Sequence, residues 1–422
     1  MKQTQLFTKT IKEAPKDEKS INAQLLIRAG FIDKLTAGVY SYLPLGLRVL
    51  KKIENIIREE MNNISCQEVF LPVLHPKEIW QKTERWQYPE MFKLKNRQGK
   101  EIGLGWTHEE VITPLVKKFV KSYKDLPVFV YQIQDKFRDE LRAKSGLLRG
   151  REFIMKDLYS FHQSDTDLER YYTKVKKAYF RIFKRCGIGR QTFLTLASGG
   201  AFSGYSHEFQ TITEFGEDEI YLCQKCKLGV NREIIQKEKY QCPKCKGKKL
   251  VIKKSIEVGN IFKLKDRFSK AFDFKFRDNK GMEKFVLMGC YGIGLGRLLG
   301  AVIEIHHDEK GIILPKELSP FDLHLLDLGR KKETEKLYQD LQKQGIKVLY
   351  DNREDKTAGT KFVEADLIGI PWRIVVSERT LAKGCIELKK RGRPKIEFVK
   401  IKHLPQFLNE KLKTLNAKQK CF

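Results

Sequence analysis

The stretch MGCYGIGLGRLLGAVIE, residues 288–304, sets four glycines (Gly289, Gly292, Gly294 and Gly296) within eight positions, follows them at once with Arg297 and then runs into an apolar helical pattern. Glycines that end in a helix N-terminus let a backbone approach an anionic ligand closely. The two familiar phosphate loops do not fit. No Gly-Lys-Ser/Thr closes the run, and its spacing is GxGxG rather than GxGxxG. Taken alone, the stretch reads better as a plain strand-to-helix turn than as a ligand floor, and the residues upstream have to decide.

In VYQIQDKFRDE (130–140), Gln132, Gln134, Lys136, Arg138 and Glu140 alternate with Tyr131, Ile133 and Phe137, the period of a strand with one polar face. The basic loop LRAKSGLLRG follows, and extended character resumes in REFIMKDLYSF, with Arg151 and Phe153 on the same side. Strand, basic loop and strand predict a hairpin. A polar sheet face can simply be wet, but Arg138, Glu140, Arg149, Arg151 and Phe153 combine guanidinium forks for oxygens with a ring for stacking, which suits phosphate and purine.

The chain of 422 residues carries 82 Lys+Arg against 53 Asp+Glu, a formal net charge of +29. An excess of this size gathers polyanions through a long-range, salt-sensitive field, so nucleic acid is an expected partner. A lysine bias spread through every helix is the competing account. No apolar run reaches the roughly 18 residues that span a bilayer, and MKQTQLFTKT lacks the apolar core of a secretory signal. A cytoplasmic protein without membrane partners is the expectation.

Four of the nine cysteines form two pairs, CQKC (Cys223, Cys226) and CPKC (Cys242, Cys245), with 15 residues between them. That spacing fits a closed four-thiolate structural Zn²⁺ site. Disulfides, or a degenerate site without metal, are the alternatives.

Coarse periodicity supplies the architecture. In LGLRVLKKIENIIREEMNN, Leu47, Leu50, Ile53, Ile57 and Met61 predict a helix, and the β-like run CQEVFLPVLHP follows it. Beyond Pro320 the pattern alternates strand, helix, strand, helix, strand, a small α/β domain with parallel pairing.

This order of features resembles class II aminoacyl-tRNA synthetases, with the helix and strand at 45–76 as motif 1, the hairpin as motif 2 and the glycine run as motif 3. GWTHEEVIT, YQIQDKFRDE, REFIMKDLYSFH, SHEFQ, MGCYGIGLGRLL and DLIGIPWRIVV together resemble the bacterial-type prolyl-tRNA synthetases over nearly the whole chain. The resemblance implies an α+β fold, an antiparallel sheet with flanking helices that binds bent ATP, plus a C-terminal α/β anticodon-binding domain. It implies a catalytic domain over residues 1–318, in which a zinc-ribbon-like segment (219–257) replaces the family's editing insertion, and an anticodon-binding domain over 319–422. The implied activity is ligation of L-proline to tRNA(Pro) through prolyl-adenylate, with ATP and Mg²⁺, by a homodimer.

Carried over by position, Arg138 and Arg297 are the catalytic arginines. Thr107, Glu109, Arg138 and Asn260 are expected to hold proline; Arg138, Glu140, Arg151, Phe153 and Arg297 are expected to hold ATP. Thr107 also reads as a helix cap in a capping box with Glu110. The chain departs from the family at Asn260, where a histidine is usual, and at Trp106, where proline is common. With the insertion reduced to Lys227–Gln241, cis editing is expected to be absent. In the anticodon-binding domain Arg353, Lys361 and Glu364 are candidate readers. The reading from another class is a catalytically silent, synthetase-like RNA-binding regulator.

Overall fold

The computed structural model describes residues 1–141, 143, 145–200 and 204–404. They form two compact units, one from Lys34–Tyr40 and Ile53–Ile305, the other from Met1–Asp33, Ser41–Lys52 and the described residues from His306 onward. Sequence patterning places a change of texture near Pro320 but gives no sign that N-terminal residues join the C-terminal unit.

The predicted first helix is present as α1 (Pro44–Asn62). The single strand expected after it is two short ones. β1 (Gln67–Glu68) lies at one edge of a large sheet, and Leu74–Pro76 belongs to a separate three-stranded sheet with Lys93–Lys95 and Glu101–Leu104. Pro72 interrupts the run between them.

A nine-stranded sheet dominates the larger unit. Its strands are β1, β2 (Val128–Phe137), β3 (Glu152–His162), β4 (Thr192–Ser198), β5 (Tyr205–Ile212), β6 (Asp218–Cys223), β7 (Gly229–Asn231), β8 (Leu250–Lys265) and β9 (Leu287–Gly294). The spatial order is β5-β4-β7-β6-β8-β9-β3-β2-β1, with a further β5–β8 pairing. All pairings are antiparallel except β1 with β2 and β4 with β7. The expected hairpin is β2–β3, in register Lys136↔Phe153 and Phe137↔Glu152. β9 runs into α3 (Leu295–Ile305), as the glycine stretch predicts.

The back of the sheet is closed by α2 (Asp165–Arg185), whose Leu168, Tyr171, Tyr172, Val175, Ala178, Tyr179, Ile182 and Phe183 form one buried stripe. Ser164 caps it by accepting from the Asp167 amide at 3.3 Å. Alternation along β3 then separates two environments. Lys156 points back and donates to Tyr179 of α2 and to the Tyr291 carbonyl at 3.0 Å, whereas Met155 and Asp157 face the front.

In the other unit a five-stranded sheet has the order β11-β10-β12-β13-β14, formed by β10 (Leu323–Leu328), β11 (Val348–Asp351), β12 (Trp372–Ser377), β13 (Cys385–Lys390) and β14 (Ile396–Lys400). The first three are parallel and joined by α4 (Lys331–Lys343) and α5 (Ala358–Ile368), as expected. The last two add an antiparallel hairpin through the basic segment ELKKRGRPK. Arg353 pairs with Asp351 at 2.7 Å and Glu364 at 2.6 Å, and Lys361 is buried with its ammonium on the Asp327 carbonyl. All three candidate base readers are thus engaged inside this unit.

Candidate active site

A cavity of about 260 Å³ opens on the front of the large sheet, over the ends of β2, β3, β8 and β9. Thr107, Glu109, Arg138, Glu140, Phe153, Asn260 and Arg297 all line it. Residues separated by up to 190 positions in sequence therefore converge on one site.

At its deep end, Glu109 opens a short helix (Glu109–Lys117) and is fully buried. The Thr107 hydroxyl donates to Glu109 Oε2 at 2.6 Å, and the Cys290 thiol, from the glycine strand, donates to Oε1 at 3.0 Å. The capping-box reading of Thr107 fails, because the N-cap is His108 and the threonine hydroxyl is spent on Glu109. Behind this pair lies Arg85, which sequence reasoning missed. Its guanidinium is fully buried, 3.4 Å from Glu109 Oε2 and 3.0 Å from Glu110 Oε1. The rings of Trp106, Phe268 and Trp80 surround it at 4.8, 5.3 and 5.6 Å. Burial pushes the Glu110 carboxyl up to about 7 even though Arg85 opposes it.

Trp106 faces a second arginine. The Arg138 guanidinium lies 5.8 Å from the Trp106 ring and 5.3 Å from the Phe153 ring, and among the described residues its buried Nε has no acceptor. Ring faces hold a cation without consuming its N–H groups. Arg138 is positioned while its donors stay available to a ligand.

The outer part of the cleft carries more charge. Arg149 pairs with Glu140 at 2.9 Å. Arg151 does not line the cavity; it donates to the carbonyls of Glu140 at 3.0 Å and Ala37 at 3.4 Å, shaping the hairpin from behind. Arg297 donates to the Leu148 carbonyl at 2.8 Å and pairs with Glu257 at 2.9 Å. Glu208 is close enough to Glu257 that burial and this neighbouring charge push its carboxyl up to about 8. Burial also raises Asp218.

The glycines divide by what surrounds them. A Cβ on Gly289 would come within 2.3 Å of the Tyr291 hydroxyl, a packing constraint inside the protein. A Cβ on Gly292 or Gly294 would meet nothing nearer than 3.7 or 3.5 Å, and both residues line the cleft. At those two positions the protein itself leaves room for a side chain, so the bare backbone serves the space above it.

The polar face of β2 is buried. Lys136 lies 3.0 Å from Asp157, which also accepts from Gln132 at 2.7 Å and from the Tyr159 hydroxyl at 3.1 Å. Burial raises the Asp157 carboxyl, but the Lys136 ammonium, together with the hydrogen bond from Gln132, outweighs it and holds the group below the usual carboxylate range. His75 and His108 both place Nε2 on the Pro72 carbonyl, at 2.9 and 3.0 Å, and burial lowers them to about 4 and about 3. They are neutral near pH 7. Asn260 lines the cavity with its buried Oδ1 unpaired among the described residues.

The four paired cysteines come together with all sulfurs within 4.8 Å of one another. The nearest approaches cross between the pairs, Cys223 to Cys245 at 3.5 Å and Cys226 to Cys242 at 3.4 Å, too long for disulfides. The two turns match. The Cys223 amide donates to the Leu228 carbonyl and the Cys242 amide to Gly247, and Lys227 and Lys246 take φ of 60° and 56°. Two equivalent knuckles facing each other fit one tetrahedral ion, for which Zn–S bonds of about 2.3 Å imply sulfurs about 3.8 Å apart.

Residues 92–306 match the model of the tRNA synthetase class II core domain (G, H, P, S and T), and residues 323–411 match the anticodon binding domain. The chain is 33% identical to the proline–tRNA ligase of Endomicrobium trichonymphae, covering 94% of this chain and 97% of the relative. It is 34% identical to that of Dehalococcoides mccartyi (strain ATCC BAA-2266), covering 96% and 98%. These alignments run over 553 and 560 positions, more than a hundred beyond the 422 residues here, so the relatives carry sequence that this chain lacks. Among solved structures the fold is similar to Giardia lamblia prolyl-tRNA synthetase in complex with prolyl-adenylate, with a TM-score of 0.76 at 20% identity over 90% of this chain and 74% of that one. It is also similar to Cryptosporidium parvum prolyl-tRNA synthetase complexed with halofuginone and AMPPNP, with a TM-score of 0.77 at 18% identity over 94% and 79%. With the motif 2 hairpin, the glycine strand and both domain matches in one chain, this protein belongs to the proline–tRNA ligase family of class II aminoacyl-tRNA synthetases.

Proposed function

We propose that the chain activates L-proline with ATP and transfers it to tRNA(Pro). The observation that carries this reading is the convergence of Thr107, Glu109, Arg138, Glu140, Phe153 and Arg297 on one cleft. The chemistry needs little proton transfer, since a carboxylate is already a nucleophile toward the α-phosphorus. Alignment and charge neutralisation supply the rate. Glu109 pairs with the imino group of proline, and Thr107, already bonded to it, fixes its orientation. Arg138, with its donors free, bridges the prolyl carboxylate and the α-phosphate. Phe153 stacks on adenine beside Glu140, and Arg297 exchanges Glu257 for the terminal phosphates. Asn260 offers an unpaired acceptor to the proline pocket.

Mg²⁺ accompanies ATP in class II enzymes and neutralises phosphate charge when bound. One or two carboxylates complete such a site, and Glu257, which lines the cleft, is a donor that fits. The cysteine quartet holds a structural Zn²⁺, with no ligand position left for catalysis. Residues 53–305 act as the catalytic body and the C-terminal unit as the tRNA-binding one. Exposed Phe70 and Leu74, beside edge strand β1, support self-association through the motif 1 region into a homodimer. No described helix is long and apolar enough to cross a membrane, and a cytoplasmic site of action fits the reaction.

The test is proline-dependent exchange of pyrophosphate into ATP by the purified protein. Exchange with proline, reduced more than about tenfold in kcat/KM by Arg138→Ala, is expected; that is a loss above roughly 1.4 kcal/mol. Absence of exchange with proline, alanine, cysteine and threonine would leave the silent RNA-binding regulator as the better reading.

A further inference from the structure

We propose that the cysteine-clamped segment from Cys223 to Lys254 docks the RNA backbone of the tRNA arm whose end enters the cleft, an inference that rests on the ligase reading above. Those residues hold ten lysines and Arg232 against Glu233 and Glu238, a net +9, or +7 once four thiolates around one Zn²⁺ are counted. All ten lysines are exposed. Elsewhere on this unit surface lysines meet carboxylates, as Lys270 meets Asp266 and Lys284 meets Asp278, both at 2.9 Å. None of these ten forms an ion pair with a described carboxylate; the segment's one such pairing is Arg232 with Glu219 at 3.8 Å.

A concentration of like charge this dense repels itself, and its natural complement is a chain of regularly spaced phosphates. Its position names the chain. Strand β8 begins inside the segment at Leu250, carries Lys253 and Lys254, and reaches the cleft at Glu257, Gly259 and Asn260. At about 3.3 Å per residue, the last lysine stands only some 10–20 Å from the reaction centre. An RNA whose 3′ end reacts there has this surface within reach of its adjoining backbone. Tyr240 is 52% exposed and packs edge-on against Tyr221 at 6.1 Å, a ring available to a ribose or base. The paired knuckles hold these side chains on a fixed scaffold without help from a large core.

The experiment replaces Lys244, Lys248, Lys249 and Lys253 together by glutamine, all exposed and none a metal ligand. Three assays follow: proline-dependent pyrophosphate exchange, charging of tRNA(Pro) transcript across 0.05–0.3 M salt, and charging of an acceptor-stem minihelix. Unchanged exchange is expected, with KM for tRNA raised at least about tenfold and the slope of log KM against log salt flattened by roughly one for each phosphate that is no longer neutralised. The minihelix should suffer as well. Unchanged tRNA KM and salt slope with intact exchange would overturn the proposal, leaving solvated lysines or an acidic protein partner as the account of the charge. A defect confined to full-length tRNA and absent from the minihelix would overturn the placement on the entering arm. Failure of the wild-type protein to catalyse exchange would instead strike at the ligase reading itself.

Discussion

Replacing Arg85 by methionine tests how the proline end of the cleft is held together. Methionine keeps the apolar stem but removes the guanidinium, and with it both the contact with the rings of Trp106, Phe268 and Trp80 and the charge shared by Glu109 and Glu110 at 3.4 and 3.0 Å. Removing one partner from a fully buried ion pair costs about 3–5 kcal/mol, a large share of the roughly 5–15 kcal/mol that holds a typical domain. The deficit has a definite pH dependence. Burial already raises the Glu110 carboxyl from its ordinary value of 4.5 to about 7, and loss of Arg85, which opposes that rise, moves it higher. A carboxyl whose pKa is higher in the folded than in the unfolded state binds more protons when folded, so stability falls as pH climbs from the unfolded value through the folded one. Arg85→Met should therefore be distinctly weaker at pH 8 than at pH 5. Adding Glu110→Gln should recover part of the loss at pH 8 and little at pH 5. Urea unfolding across this range measures both, and pyrophosphate exchange on the folded variant should show a raised proline KM with a smaller change in kcat. A deficit below about 1 kcal/mol at pH 8, or one independent of pH, would refute the reasoning.

Trp106→Leu removes one of the two rings around Arg138. A cation–ring interaction of about 0.5–2 kcal/mol translates into a loss of roughly 2- to 30-fold in exchange kcat/KM, largely spared in Trp106→Phe; no loss in the leucine variant would remove the positioning role. Metal analysis of protein purified without chelator should return one zinc per chain, and a Cys242→Ser, Cys245→Ser double variant should lose stability; absence of zinc ends the structural-zinc reading. The protein should form alanyl-tRNA(Pro), since rejecting alanine by missing interactions is worth only about 1–3 kcal/mol, and given it pre-formed should deacylate it no faster than a control without enzyme, since the segment Lys227–Gln241 is too short for a second catalytic domain.

Much of the catalytic face is legible in the sequence because strands and glycine runs leave local marks. Alternation in VYQIQDKFRDE puts Arg138 beside the cleft, and Arg297 follows the glycines directly. Arg151 shares that period with Phe153, yet its guanidinium donates to the Glu140 and Ala37 carbonyls, partners that strand alternation alone does not show. Arg85 leaves no local mark: it lies in a polar stretch, and its function depends on carboxylates 24 and 25 positions away. Asp157 and Lys136 are likewise hidden, since a charged residue in a strand reads as solvent-facing until the opposite layer is known. Trp106 looks in the sequence like a simple departure from a family proline. Only the positions of two arginines, 21 residues before it and 32 after it, give its ring a task.

The smaller unit draws its residues from both before and after most of the larger one, so it is completed only after the larger unit's last residue, Ile305, has been made. β11 lies at the edge of its sheet, and the residue that covers this edge is Lys2, bridged to Tyr350, with the Tyr350 amide on the Met1 carbonyl at 2.9 Å. During synthesis at about 5–20 residues per second, Met1 and Lys2 wait roughly 20–70 s for the strand they will join, because nearly 350 residues separate Lys2 from Tyr350. The larger unit, contained between Lys34 and Ile305, can fold well before that. A fragment cut to residues 323–411, the span of the anticodon-binding match, would keep every strand of the sheet and lose the piece that shields its edge. Unshielded edges pair with other chains, so such a fragment should associate at concentrations where the intact protein does not.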